Sequence, residues 1–233
     1  MSEPTTEPET PTHAQLPSTD AGTPWQRLAN ADPIEIRDPL AELLGMVPPG
    51  EPLVVTFADA AKHAGHACPA VAGAYRSTQL ALAELYPNAY PVRSDIAVIV
   101  DDDPEAMGVG PMASVISHIT GAARETGFTG FGGYGGRKNL LSFSESSGRG
   151  RSFAFTRMDT DETVRVSFSP GTVGVAPPGG GDSTADLIPR LVAGEASDEE
   201  RQEFYDGWHG RVQRVLDASP GPNSPFTVEI VDE

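Results

Sequence analysis

The residues best suited to chemistry lie in one short run, His63-Ala-Gly-His66-Ala-Cys68-Pro69. It holds the chain's single cysteine together with two of its five histidines. Zinc and similar divalent metals accept imidazole nitrogen and thiolate sulfur as ligands in the same site. The run would also suit a nucleophilic Cys68 activated by His66 or His63 as the base. A buried structural cysteine beside surface histidines is the third interpretation, and the residues alone leave all three open.

A helix predicted directly after this run determines what the thiol can do. Pro69 suits the first helical position, where a missing N–H costs nothing. The apolar residues that recur on one face of this helix are Val71, Tyr75, Leu82 and Leu85. Cys68 would then be the N-cap, where unpaired amides and the positive end of the helix dipole favour thiolate. Metal binding and covalent catalysis both require that thiolate.

A second predicted helix, opened by Pro111, carries another histidine. Its buried stripe consists of Met112, Val115, Ile116 and Ile119. Ser114 and His118 lie with Pro111 on a different face, at the spacing that stacks side chains along a helix. Taken alone, His118 is expected to be a packed or hydrogen-bonded histidine. His209 and His13 are expected at the surface.

The glycine-rich stretch from Gly127 to Gly136 contains a formal G-x-G-x-x-G match at Gly130, Gly132 and Gly135. A helix precedes it and a strand follows it, which is the reverse of the dinucleotide-binding order. It is not a Walker A loop either, because Lys138 is not preceded by glycine. The pattern favours a flexible loop that lets the backbone approach another group closely, as a lid over the His/Cys site would.

The acidic turn Asp101-Asp102-Asp103-Pro104-Glu105 follows a predicted strand and is expected to be solvated rather than metal-binding. Helices are predicted at 34–44 and 69–86 and from 111 and 197 onward. Strands are predicted at 52–57, 95–100, 139–143, 152–157 and 163–168, with the strand at 95–100 buried on both faces and the last three forming a meander. The predicted organisation is a disordered acidic tail at 1–30, one domain at 34–217 and a C-terminal extension at 218–233.

Composition narrows the class of partner and the compartment. With 33 acidic and 16 basic residues the formal charge is −17, which disfavours nucleic acid and anionic membranes. No apolar run approaches the roughly 18 residues that span a bilayer. The N-terminus is acidic where a signal peptide would be basic, and one cysteine suits a reducing compartment. A cytoplasmic protein is therefore expected.

The segment Gly65-His-Ala-Cys-Pro-Ala-Val-Ala-Gly-Ala-Tyr-Arg76 resembles the Gly-His-x-Cys-Pro-Gly-x-x-x-Gly-Tyr-Arg signature of the FmdE family, named after a component of formylmethanofuran dehydrogenase. The similarity continues through 116–121 and 137–141 and covers about residues 55–217. This resemblance implies a single α+β domain with a mixed or antiparallel sheet packed against a few helices, and a possible homodimer. It also implies a divalent metal, zinc in known members, held by His66 and Cys68.

The chain departs from that family at several positions. The second helix of the family usually carries Cys, Asp and a later Cys, where this chain has Pro111, Ser114 and Ala122. No cysteine pair is present for a C-terminal zinc ribbon. Because His118 lies on the helix face that lacks those ligands, we expect it to bind the metal in their place. His63 is a further candidate ligand.

The function predicted from these residues is that of a cytoplasmic FmdE-like metal-binding protein acting on a small anionic molecule. Arg76, Arg137 and Lys138 are the predicted anion-binding side chains, and the backbone at Gly132 and Gly133 is expected to close over the ligand. Two alternatives stay open. One is a non-catalytic accessory or assembly protein, and the other is a thiol-dependent enzyme with Cys68 as the catalytic nucleophile.

Overall fold

The structure is a computed structural model that describes residues 31–144, 151–174 and 186–231. Its helices are α1 (Pro39–Leu43), α2 (Phe57–Ala64), α3 (Pro69–Leu85), α4 (Val109–Thr120), α5 (Ile188–Ala193) and α6 (Asp198–Leu216), with a 3₁₀ turn at Pro170–Val173. Its strands are β1 (Ile34–Ile36), β2 (Leu53–Val55), β3 (Ile96–Val100), β4 (Leu141–Phe143), β5 (Arg151–Arg157), β6 (Thr163–Phe168) and β7 (Phe226–Val231).

Five strands form one mixed sheet in the order β4-β3-β5-β6-β7. Strand β3 runs parallel to β4, and the other neighbouring pairs are antiparallel. Strands β1 and β2 pair separately as a short antiparallel ribbon. The predicted α+β class, with a single domain and a mixed sheet packed against helices, is confirmed.

Helix α3 lies at the centre of the fold and packs on α4, α6 and strand β6. It begins as predicted, with Cys68 as N-cap and Pro69 at the first position. The four apolar residues predicted to face the core, Val71, Tyr75, Leu82 and Leu85, are all buried. The end of the His/Cys run is therefore attached to the most firmly packed helix of the domain.

Two capping boxes begin helices. The predicted one starts α6, where Ser197 Oγ accepts from Glu200 N and the Glu200 carboxylate accepts from Ser197 N. A second box, Thr56 with Asp59, starts α2, a helix that the sequence pattern does not predict. Helix α2 ends at Gly65, whose φ of 81° is the left-handed conformation that glycine adopts at helix C-termini. The His/Cys run is thus divided between the end of α2, a turn and the cap of α3.

Three predictions of local structure are wrong. Residues 34–44 are helical only from Pro39, where α1 begins with Asp38 as its cap, because Ile34–Ile36 pair with β2 as strand β1. Strand β3 is not buried on both faces, since Ile99 is 41% exposed. The last three predicted strands are not a meander, because β3 lies between β4 and β5.

The predicted C-terminal extension is also wrong, since it contains strand β7. This strand pairs with β6 along its full length and places Phe226 in the core, stacked on Phe168. The segment Ser219-Pro-Gly-Pro-Asn-Ser-Pro225 has the composition of a linker, which is why the predicted domain boundary falls too early. The predicted disordered tail at 1–30 lies outside the described residues. Among those described, no helix is both long and apolar enough to cross a bilayer.

Candidate functional site

Two of the predicted ligands, His63 and His118, meet between α2 and α4. Each lies in the last turn of its helix, and the two helices pack directly on each other. The imidazole rings stack with their centroids 4.5 Å apart and their planes 17° from parallel. His63 Nε2 and Ser114 Oγ share a hydrogen bond of 2.9 Å. The packing of α2 on α4 therefore builds a pair of imidazoles, with one ring oriented by a serine.

This pair lines an open groove of about 500 Å³, which we call the histidine groove. Its polar lining consists of His63, Ser114, Ser117, His118, Arg124 and Thr126, and its apolar lining includes Ala113, Leu141 and Phe143. Its volume is within the range of pockets that bind small molecules. Apolar walls with a few convergent polar groups are typical of such binding sites.

The environment of His118 favours its neutral form. Burial lowers the pKa of the imidazole, and positive charge on His63 or Arg93 acts in the same direction, whereas Asp59 opposes it. Arg93 also donates hydrogen bonds to the carbonyl oxygens of His118 and Ile119 at the end of α4. A neutral imidazole has a lone pair available for a metal ion or a proton.

The other two predicted ligands stay on the loop between α2 and α3. His66 is exposed, and its Nδ1 donates to the carbonyl of Ala64 at 3.1 Å. Cys68 is half-buried and acts as the predicted N-cap, with Sγ accepting from Val71 N at 3.5 Å. Within residues 31–144, 151–174 and 186–231, no three His, Cys, Asp or Glu side chains form a group that could hold one metal ion. The structure thus brings His63 and His118 together, whereas His66 and Cys68 do not join them in a four-ligand His/Cys centre.

The predicted anion-binding side chains lie elsewhere in the described structure. Arg76 donates to the carbonyl of Ala218 and lines a separate cavity of about 330 Å³ beside the end of α6. Arg137 donates to the buried carboxylate of Asp38 at 2.6 Å. Lys138 is exposed. The described lining of the histidine groove includes none of these three cations.

The glycine-rich loop packs beside α1 rather than over the histidine groove. A Cβ at Gly135 would lie 2.5 Å from Leu40 Cγ, so the loop contacts that helix closely. Gly132 and Gly133 are exposed, and the described lining of the groove includes no residue of 127–136. The predicted closure by this loop would require it to move away from α1.

Two lining residues, Ser114 and Arg124, take roles that the sequence does not assign to them. The helical spacing predicts Ser114 on the same face as His118, and both line the groove, so the spacing contained the signal. Arg124 follows the end of α4 and has no such signal. It approaches the groove because the neighbouring carbonyl of Ala123 accepts from the backbone of Leu140 and Leu141 at the start of β4.

No protein-family model matches this chain, and a search of curated proteins finds no match. The likeness to the FmdE family stays a prediction from the sequence, carried by the Gly65 to Arg76 motif together with segments 116–121 and 137–141.

Proposed function

We propose that this protein is an FmdE-like metal-binding protein whose metal site lies in the histidine groove. The observation that carries this proposal is the stacking of His63 on His118, which brings together imidazoles from two helices at the wall of a cavity. Imidazole suits zinc and several other divalent metals. Because the rings are nearly parallel, sharing one ion requires them to tilt toward each other. Water or a bound ligand would complete the coordination.

The groove has room for a substrate beside the proposed metal. Its volume of about 500 Å³ admits a small molecule next to both imidazoles, and Ser114 and Ser117 line the same space. The hydrogen bond between Ser114 Oγ and His63 Nε2 keeps the ring of His63 at the wall of the groove. A zinc ion, when bound, would supply a Lewis acid and lower the pKa of a coordinated water toward about 7. Hydrolytic or lyase chemistry on a small molecule is the class of reaction that this combination supports.

Cobalt(II) titration of the full-length, reduced, chelator-treated protein tests the site. We expect tetrahedral cobalt absorption without a thiolate-to-cobalt band, and a loss of affinity of at least tenfold in both His63→Ala and His118→Ala. His209→Ala is the matched control, because this histidine lies on α6 and stacks on Tyr205. Its affinity should equal that of the wild type.

The same titration on Cys68→Ser separates the groove from the loop. Unchanged cobalt affinity in Cys68→Ser is expected if the two groove imidazoles hold the metal. A thiolate-to-cobalt band that disappears in Cys68→Ser would place the metal on the His66–Cys68 loop and overturn the location proposed here. Unchanged cobalt affinity in both His63→Ala and His118→Ala would also overturn that location.

A thiol-dependent enzyme is the second candidate function, favoured by the position of Cys68 Sγ at the start of α3. An N-terminal helix position stabilises thiolate and speeds its alkylation. In metal-free protein at neutral pH, this candidate requires iodoacetamide to modify Cys68 at least tenfold faster than the unfolded chain. Labelling at the rate of the unfolded chain, or slower, would exclude it.

A further inference from the structure

A second compartment adjoins the histidine groove at the edge of the sheet. An adjoining cavity of about 360 Å³ shares the side chains of Pro104, Arg124, Leu141 and Phe143 with the groove. The residues added by the second compartment are Glu125, Asn139 and Ser142. A ligand that contacts the imidazoles can therefore extend past an apolar wall toward Arg124 and β4.

The backbone at Arg124 is held firmly against the start of β4. The carbonyl of Arg124 accepts from the amide of Asn139 at 3.1 Å, and the carbonyl of Ala123 accepts from Leu140 and Leu141 at 2.9 and 3.0 Å. The Arg124 guanidinium lies over the ring of Phe143, 5.5 Å from its centroid. This contact positions the charge at the junction of the two compartments, where it can pair with a ligand in either one.

The present partner of Arg124 can be exchanged. Arg124 Nε lies 3.3 Å from a carboxylate oxygen of Glu125, and both side chains are more than half exposed. Exposed ion pairs of this kind add little to stability, so a ligand carboxylate can displace Glu125 at small cost. The planar guanidinium fork matches a carboxylate in a two-point hydrogen bond, which adds geometric specificity to the charge pairing.

The lining also indicates which kind of anion fits. Among the described lining residues of both compartments, Arg124 is the one arginine or lysine. One guanidinium neutralises a monocarboxylate, whereas a phosphate dianion would keep uncompensated charge beside Glu125. Leu141 and Phe143 then offer apolar contact to the rest of the molecule. Because the chain has a net charge of −17, recognition must come from these local contacts rather than from long-range attraction.

We propose that the two compartments together bind a small organic monocarboxylate, with its carboxylate on Arg124 and its apolar body along Leu141 and Phe143 toward His63 and His118. This inference rests on the proposed use of the histidine groove as a binding site. It names the substrate class and replaces the anion-binding residues predicted from the sequence with Arg124.

Titration of the full chain with hexanoate, hexanamide and inorganic phosphate, followed by two-dimensional ¹H–¹⁵N NMR, tests the proposal. Hexanoate should bind at least tenfold more tightly than the neutral hexanamide and more tightly than phosphate. Arg124→Gln should weaken hexanoate binding about tenfold, since a charge-assisted pair is lost. The hexanoate affinity of Arg124→Lys should lie between those of the wild type and Arg124→Gln. Arg201→Gln on α6 is the matched control and should bind hexanoate like the wild type.

Cobalt affinity, measured on the same variants, separates this inference from the metal site. Arg124→Gln should not lose cobalt affinity, because Arg124 is not a proposed ligand and its loss removes a positive charge from the groove lining. Its thermal unfolding midpoint should stay the same, because the side chain is exposed. Four results would overturn the carboxylate site and leave the metal proposal intact. They are undetectable hexanoate binding, equal affinity for hexanoate and hexanamide, tighter binding of phosphate, and unchanged hexanoate affinity in Arg124→Gln. Unchanged cobalt affinity in His63→Ala and His118→Ala, with hexanoate binding retained, overturns only the metal site.

Discussion

Replacing Gly73 with alanine should lower the free energy of unfolding by about 3 kcal/mol. Gly73 is fully within α3, where this helix packs on β6, and a Cβ at this position would lie 2.3 Å from Cε1 and 2.6 Å from Cδ1 of Phe168. The ring of Phe168 is 1% exposed and stacks on Phe226, so it has little room to move. The overpacking should outweigh the gain of about 1 kcal/mol that alanine brings to a helix interior. Urea or guanidinium unfolding measures the difference.

Gly210→Ala is the matched control for this prediction. Gly210 lies inside α6, and a Cβ there would meet only Arg214 Nη1 at 3.5 Å, an ordinary contact. Alanine should leave stability unchanged or raise it by up to about 1 kcal/mol. Phe168→Leu in the Gly73→Ala background should recover part of the loss, since a smaller side chain leaves space for the new Cβ. Equal stability of Gly73→Ala and the wild type would show that α3 does not approach the sheet this closely.

Asp38→Asn should also destabilise the fold by about 3 kcal/mol, for an electrostatic reason. The Asp38 side chain is 4% exposed and lies 3.1 Å from Arg93 and 2.6 Å from Arg137. Its carboxylate also caps α1 by accepting from the amide of Leu40 at 3.0 Å. Asparagine is an equally good N-cap, so the substitution removes the charge and keeps the cap. Two largely buried guanidinium groups are then left without their carboxylate.

The pH dependence of this effect has a definite sign. Burial alone would raise the pKa of Asp38, but the hydrogen bond from Arg93 and the charge of Arg137 outweigh it and hold the pKa below its ordinary value of 3.8. The contribution of the carboxylate is therefore complete above pH 3.8 and is lost as the pH falls through the lower pKa of the folded state. The stability difference between the wild type and Asp38→Asn should be constant near neutral pH and shrink in acid.

Asp159→Asn provides the surface comparison for Asp38→Asn. The Asp159 carboxylate also pairs with an arginine, Arg157, at 2.7 Å, but its side chain is 48% exposed. Water screens such a pair, so its loss should change stability little. A loss in Asp159→Asn as large as that in Asp38→Asn would contradict the assignment of the effect to burial. Arg93 also bonds the carbonyl of His118, so only Asp38→Asn should shift the ring signals of His118 in NMR spectra.

Prediction from the sequence succeeds where the determining contacts are local. The start of α3 at Cys68 and Pro69 and the capping box at Ser197 and Glu200 involve residues within one helical turn of each other. Strand β6 has the bounds that the sequence predicts, because alternation of buried and half-buried residues is a short-range pattern. Prediction fails at the C-terminus, where strand β7 forms only because β6 is there to pair with it.

The difference between local and long-range contacts also explains how much of the candidate site could be predicted. The sequence by itself determined the inventory of chemical groups: one thiol, the imidazoles of His63, His66 and His118, and the placement of Ser114 on the face of His118. Tertiary structure alone decided which of them meet, because the stacking of His63 on His118 depends on the packing of α2 against α4. Arg124 approaches the groove because the carbonyls of Ala123 and Arg124 accept hydrogen bonds from residues 139–141 at the start of β4. Side-chain spacing along one element does not encode such contacts between separate elements.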